Sequence, residues 1–303
     1  MNKVLVRALS GAVYVALIVF CTLAGGWYFF AMTVLFTVLG IHEYQNLMAH
    51  KQGAPVPWAI RALDMSSAIL AVCITGMVAY SFDYTDNTFI RFLFESIAWV
   101  AAGLMMLILC LLARLTASLC LQKGDAVASC AASLTGFLYI AVPMCLLCFL
   151  GMLTDAGTPD AAVTFAPGIF TYAVLTMFIL IWVNDTGAFC FGCTLGKHRL
   201  CERLSPKKSW EGFWGGFACS VIAGALLAGW AGMKAWWAGA LFGACVSLLS
   251  TWGDLFESQL KRTAGVKDSG NLIPGHGGIL DRIDSLLFVA PVSFVFLMLF
   301  HLL

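Results

Sequence analysis

The stretch DLFESQLKRTAGVKDSGNLIPGHGGILDRID, residues 254–284, decides how the rest of the chain is read. It carries Asp254, Glu257, Asp268, Asp281 and Asp284 against Lys261, Arg262, Lys267 and Arg282, with His276 in a run of glycines. Apolar stretches at about 235–253 and 285–303 stand on either side, each near the roughly 20 residues that an α-helix needs to cross a bilayer. Ionisable side chains are costly beside a bilayer and mark a functional site by default. The stretch therefore reads as a polar loop between two membrane-crossing helices, with the residue types of metal and phosphate chemistry.

Working outward, seven more apolar stretches precede these two, at about 4–24, 27–48, 58–80, 96–115, 126–150, 168–190 and 212–231. The chain is 61% apolar and 11% charged, against roughly a quarter charged in an average soluble domain. The ten-residue alternating strands of a membrane barrel are absent from the sequence. The expected class is all-α, a polytopic membrane protein with about nine transmembrane helices. It forms one integral membrane domain over 1–303, an N-terminal helical bundle at 1–165 and catalytic helices with their loops at 166–303. Lys3 and Arg7 resemble the basic start of a signal peptide, but the apolar run after them is longer than a typical signal core. No small-x-small cleavage site is clear before Trp27, so the first span is expected to stay uncleaved.

Lys and Arg concentrate on the cytoplasmic side of membrane proteins. With nine spans and a cytoplasmic N-terminus, all but Arg91 and Lys234 of the 17 basic residues fall inside. Acidic residues Asp83, Asp86, Glu95, Asp155 and Asp160 fall outside. The twelve cysteines lack the spacing of a disulfide framework. Cys145 and Cys148 read as small packing residues. Cys190 and Cys193, followed by His198 and Cys201, lack the second well-spaced pair of a closed zinc site.

Two cytoplasmic loops hold the polar chemistry, with eight charged side chains in 185–211 and nine in 254–284. In the first, Asp185 stands near the end of a span, where a carboxylate needs a cation or polar partner. Lys197 follows a glycine, and Ser205-Pro206-Lys207-Lys208-Ser209 reads as a turn whose hydroxyls and ammonium groups suit a polyphosphate; Trp210 marks the return to the interface. In the second, Asp254, Glu257, Ser258 and Lys261 share one face if the helix continues past Gly253. Lys267-Asp268-Ser269-Gly270 and the Gly275–Gly278 run let backbone N–H groups approach an anion.

Asp281 and Asp284, three apart, point the same way on a helix, and with Asp254 they offer the hard oxygen ligands that Mg²⁺ takes alongside substrate phosphates. Pairing Asp281 with Arg282 does not account for them, because adjacent helical residues do not face each other. A histidine in a loop is commonly structural, and spacing alone gives His276 no role. His42-Glu43 does not continue into a His-Glu-x-x-His metal pattern and reads as an interfacial polar pair that lines the site.

At these residues the chain resembles the phosphatidate cytidylyltransferase (CDP-diacylglycerol synthase) family. Ser258, Leu260, Lys261, Arg262, Lys267, Asp268, Gly270, Pro274, His276, Gly277, Gly278, Asp281, Arg282 and Asp284 fill that family's signature without a gap. Asp185-Thr186, Gly196-Lys197 and Ser205 through Gly212 follow its upstream pattern, with Phe189 standing where many relatives have tyrosine. The N-terminal half matches only as a bundle of apolar spans.

The resemblance implies transfer of the cytidylyl group of CTP to phosphatidate, with release of pyrophosphate, in phospholipid biosynthesis. It implies Mg²⁺ at Asp254, Asp281 and Asp284 with Asp268 in support, and a monovalent cation such as K⁺ near Asp284. Ser205, Lys207, Lys208 and Ser209, with Asp185 and Lys197, would bind the nucleotide. Lys261, Arg262, Lys267 and Arg282 would neutralise the lipid phosphate and pyrophosphate, and His276 joins the catalytic set. Membrane lipid, a homodimer, no nucleic acid and a bacterial inner membrane with the site facing the cytoplasm complete the expectation. Two other classes fit less of the pattern. A CTP-dependent lipid kinase would move the γ-phosphate, and a transporter would show related halves and broken midplane spans. The Asp-Gly-x-x-Ala-Arg pattern of CDP-alcohol phosphotransferases is absent.

Overall fold

The computed structural model describes residues 3–52, 55–83, 89–121, 125–153, 170–273 and 277–302. The helices are α1 (Lys3–Ala24), α2 (Gly26–Gln52), α3 (Trp58–Asp83), α4 (Phe89–Leu121), α5 (Ala126–Gly136), α6 (Val142–Met152), α7 (Thr171–Leu195), α8 (Trp210–Leu227), α9 (Trp236–Thr263) and α10 (Leu280–Leu302). Strands β1 (Arg199–Cys201) and β2 (Ser205–Ser209) form an antiparallel hairpin between α7 and α8. A π-helical turn, Phe137–Ala141, joins α5 to α6. There Pro143 removes one helical donor, and the Val142 N–H reaches back to the Phe137 carbonyl.

Among the described residues, eight helical segments are long and apolar enough to cross a membrane, α5 through α6 counting as one. The ninth expected span, 27–48, is also a helix, α2, but is not among the eight. Its second half carries His42, Glu43, Gln45 and Asn46, which lower its apolarity while its 27 residues leave its length sufficient: at 1.5 Å per residue they reach about 40 Å. The apolar surface faces outward. The most apolar segment, Val100–Leu121, has a mean hydropathy of 2.3 and only 11% of it is buried, as expected where hydrocarbon rather than a protein core covers the helix. The expected division at 165/166 lies outside the described residues.

The C-terminal helices cross at very short range, and small residues make that possible. Gly212, Gly216, Ser220 and Gly224 recur every fourth position along α8 and are all buried. On α9 Gly239, Gly243 and Ser247 do the same. A Cβ at Gly216 would lie 2.7 Å from the Asn184 carbonyl of α7, and one at Gly243 would collide with the Ser220 carbonyl of α8. In lipid, where apolar burial offers little drive between helices, such backbone proximity is the main source of packing. Asn184 locks the arrangement: its Oδ1 accepts from Ser247 Oγ at 2.6 Å, and its Nδ2 donates to Ser250 Oγ at 3.4 Å.

The N-terminal bundle has its own buried polar clasp. Arg114, which charge counting placed among the cytoplasmic loop residues, is buried between α3, α4 and α5. Its Nε is 2.8 Å from Asp64 Oδ1, and its Nη2 donates to Ser129 Oγ and Ser133 Oγ at 2.8 and 2.7 Å. A charge removed from water needs this degree of satisfaction.

The crossing predicts different costs at two glycines. Gly243→Leu should lower the unfolding temperature in detergent, since overpacking costs about 1–3 kcal/mol. Gly229→Ala, with nothing within 4 Å of its added Cβ, should leave it unchanged. Equal melting of the two variants would contradict the close α8–α9 contact.

Candidate active site

The helix of Asp254 does continue past Gly253 to Thr263, so Asp254, Glu257 and Lys261 share a face as their spacing requires. Gly253 sets what that face meets. A Cβ there would lie 2.5 Å from the Asp284 carbonyl and 3.0 Å from the Ser285 Cα, and Ser285 Oγ donates to the Ser250 carbonyl at 3.2 Å. This contact seats the first turns of α10 against the end of α9. Asp254, Glu257 and Asp284 each bring a carboxylate oxygen within 4.8 Å of the others. Among the described residues no other group of His, Cys, Asp or Glu converges this way.

Asp281 is not in that group, although the sequence placed it with Asp254 and Asp284. Its Oδ1 lies 2.6 Å from Lys261 Nζ. Its Oδ2 accepts from Gly278 N at 2.8 Å, Ser269 Oγ at 2.9 Å and Ser269 N at 3.1 Å. Glu257 takes the third place instead, because it is one turn along α9 from Asp254 and faces Asp284. Its Oε2 lies 2.5 Å from Lys261 Nζ, while its Oε1 is buried with no hydrogen-bond partner. Lys261 thus bridges Glu257 and Asp281 rather than standing open to an incoming phosphate.

The loop into α10 is held from the other end of the chain. Glu43 of α2 is buried, and its Oε1 accepts from Ile279 N at 2.9 Å. Its Oε2 accepts from Leu280 N at 2.8 Å and Ser269 Oγ at 3.0 Å. A carboxylate here satisfies N–H groups at the start of α10 and complements its dipole. The glycines around it leave room for this: a Cβ at Gly270 would lie 2.6 Å from Glu43 Oε1, and one at Gly278 would overlap Oε2. Gly277 adopts φ 86°, open to glycine at no steric cost. The expected His42-Glu43 pair is split, with His42 exposed and Glu43 buried, since neighbouring helical positions face different ways.

The 185–211 segment meets the same site. Ser205–Ser209 is strand β2 rather than the expected turn. The turn falls at 202–204, and β2 pairs with β1 through Arg199↔Ser209 and Cys201↔Ser205. Strand alternation then sends Lys207 and Lys208 to opposite faces. Lys208 Nζ reaches Asp254 Oδ2 at 2.5 Å, whereas Lys207 is exposed. Ser209 Oγ caps α8 by accepting from Gly212 N at 3.1 Å. Glu211 ties down the preceding turn, accepting from Lys197 N and His198 N, with His198 Nδ1 2.6 Å from its Oε1. The Lys197 side chain is exposed, and Ser205 is half-buried. Asp185 receives Asn184 Nδ2 at 3.4 Å and lies within electrostatic reach of Asp254 and Lys208.

Beyond the first turn of α10 lies a cavity of about 580 Å³ lined by Arg7, Lys267, Asp268, Asn271, Ile273, Gly277 and Arg282. It joins Lys267, Asp268 and Arg282, three of the expected site residues, to Arg7 of α1, which the sequence had marked only as a loop charge. Arg262 is exposed in the last turn of α9, and His276 lies outside the described residues. The arrangement combines converged carboxylates, two lysines paired with them, Lys208 and Lys261, and a separate cationic cavity.

If Glu43 organises the loop, Glu43→Gln should expose it. One amide oxygen cannot replace a carboxylate toward two N–H groups and a hydroxyl, and hydrogen bonds to a charged group contribute about 1.5–3 kcal/mol each. Hydrogen exchange at the Ile279 and Leu280 amides should accelerate in the variant. Unchanged protection would contradict the capping role.

Residues 5–300 match the model of a cytidylyltransferase family. The chain is 33% identical over 304 residues to a phosphatidate cytidylyltransferase of Synechocystis sp., covering 97% of this chain and 96% of that one. It is 44% identical over 120 residues to a Staphylococcus epidermidis protein of the same name, 39% of this chain and 46% of the relative. A Mycobacterium tuberculosis phosphatidate cytidylyltransferase is 43% identical over 126 residues, 42% of this chain and 38% of the relative.

Proposed function

Since the chain belongs to the cytidylyltransferase family, we infer that it transfers the cytidylyl group of CTP to phosphatidate at a membrane surface. In that reaction an oxygen of the lipid phosphomonoester attacks the α-phosphorus of CTP. A new P–O–P linkage forms, the bond from the α-phosphorus to the bridging oxygen breaks, and pyrophosphate leaves with that electron pair. The nucleophile is already anionic, so no general base has to remove a proton. The demand is electrostatic: two anions must meet, and charge must be held as the leaving group departs.

The observation that carries the reading is the convergence of Asp254, Glu257 and Asp284 beside Lys208. These residues fit Mg²⁺. They are hard oxygen donors within 4.8 Å of one another, and Glu257 Oε1 is a buried acceptor in want of a partner. Bound there, the ion would neutralise phosphate charge and orient the nucleotide phosphates. Lys208, paired with Asp254 and carried on the β1–β2 hairpin, would meet the nucleotide phosphates, with Asp185 in electrostatic reach of it. Lys261 and Asp281 position the loop and Glu257. A monovalent cation beside Asp284 is the second proposed cofactor.

The positive-inside bias and the bacterial relatives support a cytoplasmic N-terminus and a cytoplasmic site at a bacterial inner membrane. The family resemblance supports a homodimer.

CTP labelled at one phosphorus at a time tests the reaction. With purified chain, phosphatidate vesicles and Mg²⁺, α-labelled CTP should place label in the lipid and γ-labelled CTP should place it in pyrophosphate. Label entering lipid only from the γ position would replace this reading with a lipid kinase.

A further inference from the structure

We propose that Tyr139 is a positioning residue for the carboxylate site, its hydroxyl holding Glu257 through one buried water. The proposal deepens the cytidylyl-transfer reading and rests on it, because it takes Asp254, Glu257 and Asp284 as the cation site. Tyr139 stands outside both polar loops, in the π-helical turn Phe137–Ala141 of the N-terminal half. In sequence it is one aromatic residue among apolar neighbours.

The turn occurs where Pro143 lacks the N–H that an α-helix would send to the Tyr139 carbonyl, and where the proline ring crowds that carbonyl. π turns inside α-helices are rare and gather at functional sites. This one is pinned to α2 on one side. A Cβ at Gly40 would lie 3.2 Å from Ile140 Cγ2, and one at Gly136 would lie 2.6 Å from Tyr44 Cε1. The Tyr139 ring instead meets α9 and α10. Its centroid is 4.8 Å from that of Phe256 and 6.2 Å from that of Phe288, and those two rings are 5.5 Å apart. Phe256 is adjacent to Glu257, and Phe288 is four residues past Asp284. The ring is thus seated by the two helices that carry the carboxylates.

Packing accounts for the ring but not for its polar end. Tyr139 is 8% exposed, and its hydroxyl is buried without a hydrogen-bond partner. Asp284, Glu257 and Asp254, with Tyr44 of α2, lie within electrostatic reach of it. Tyr44 is engaged elsewhere, donating to the Ala132 carbonyl at 3.0 Å. Each carboxylate has a partner at one oxygen: Asp284 Oδ1 accepts from Ser285 N at 2.7 Å, Asp254 Oδ2 meets Lys208 and Glu257 Oε2 meets Lys261. Glu257, 1% exposed, keeps its Oε1 buried and unpartnered.

A donor and an acceptor are therefore both unsatisfied in one region and do not bond to each other. Leaving them so costs free energy, and a buried water bridging such groups removes that cost. Tyr139 donates to the water, and the water donates to Oε1. A carboxylate oxygen has more than one lone pair, so Oε1 can face a cation as well. Outer partners of this kind fix the orientation of a ligating carboxylate and with it the affinity for metal.

The experiment uses the full chain in phosphatidylcholine nanodiscs without nucleotide or phosphatidate, with free Mn²⁺ counted by electron paramagnetic resonance. Tyr139→Phe keeps the ring against Phe256 and Phe288 and should weaken Mn²⁺ binding about tenfold or more. In turnover, the half-saturating Mg²⁺ should rise by a similar factor, with the phosphatidate KM at saturating Mg²⁺ within about twofold. Glu257→Gln should also weaken Mn²⁺ binding. Adding Tyr139→Phe to it should change the affinity by less than about twofold more, because effects passed through one shared contact do not add.

Unchanged Mn²⁺ affinity in Tyr139→Phe, with a raised unfolding temperature, would show a hydroxyl that the fold merely tolerates and would overturn the proposal. So would the full loss repeated in the Glu257→Gln background, since Tyr139 would then act on something other than Glu257. If Mn²⁺ binding responds as expected yet α-labelled CTP leaves no label in the lipid, the Tyr139 assignment stands and the reaction falls.

Discussion

The close crossing of α9 and α10 at Gly253 is the constraint on which the site depends. It brings the Asp284 backbone against a residue with no side chain and thereby holds three carboxylates within 4.8 Å of one another. Two unit charges at that separation repel by roughly 3.5 kcal/mol at an effective dielectric of about 20. Were all three ionised, the three pairs would together rival the whole stability of a typical domain, about 5–15 kcal/mol. Lys208 and Lys261 offset part of this from opposite sides. In the proposed reading, a divalent ion between the carboxylates would turn the remaining repulsion into coordination, and the cost built into the helix crossing would become affinity for the cation.

The rest of the structure serves to keep that crossing and its loop in place. Four-residue stripes of glycine and serine let α7, α8 and α9 touch at backbone distance, and Asn184 ties α7 to α9 just before Asp185. Glu43 reaches from α2 to the start of α10, and Asp281 holds Ser269, Gly278 and Lys261 from within. The N-terminal half is therefore not only a membrane anchor. It supplies the carboxylate that orders the C-terminal loop, and through Arg7 one wall of the cationic cavity.

Much of this was legible in the residues because it follows from length and period. The apolar stretches marked each helix, although α4 begins seven residues before and ends six after its expected stretch, α9 runs ten past its own, and α2 carries enough polar side chains to leave the spanning class. The spacing of Asp254, Glu257 and Lys261 announced one helical face. What could not be read was rotation. Whether Glu257 or Asp281 completes the carboxylate group depends on how α10 is turned against α9, which Gly253 decides and no local pattern encodes. Glu43 lies more than two hundred residues from the N–H groups it caps, so its role had no local signal. Lys207 and Lys208 were separated only once Ser205–Ser209 proved to be a strand. One available signal lay in plain sequence: the small residues at 212, 216, 220 and 224, whose four-residue period identifies a close helix crossing.

A crystal of the protein grown with Mn²⁺ and examined by anomalous scattering tests the central claim most directly. The account predicts a peak bounded by Asp254, Glu257 and Asp284, about 2.0–2.2 Å from their oxygens given the similar demands of small hard cations. Asp281 should remain on Lys261 and Ser269. A peak ligated by Asp281, with Lys261 displaced and Glu257 left aside, would contradict it.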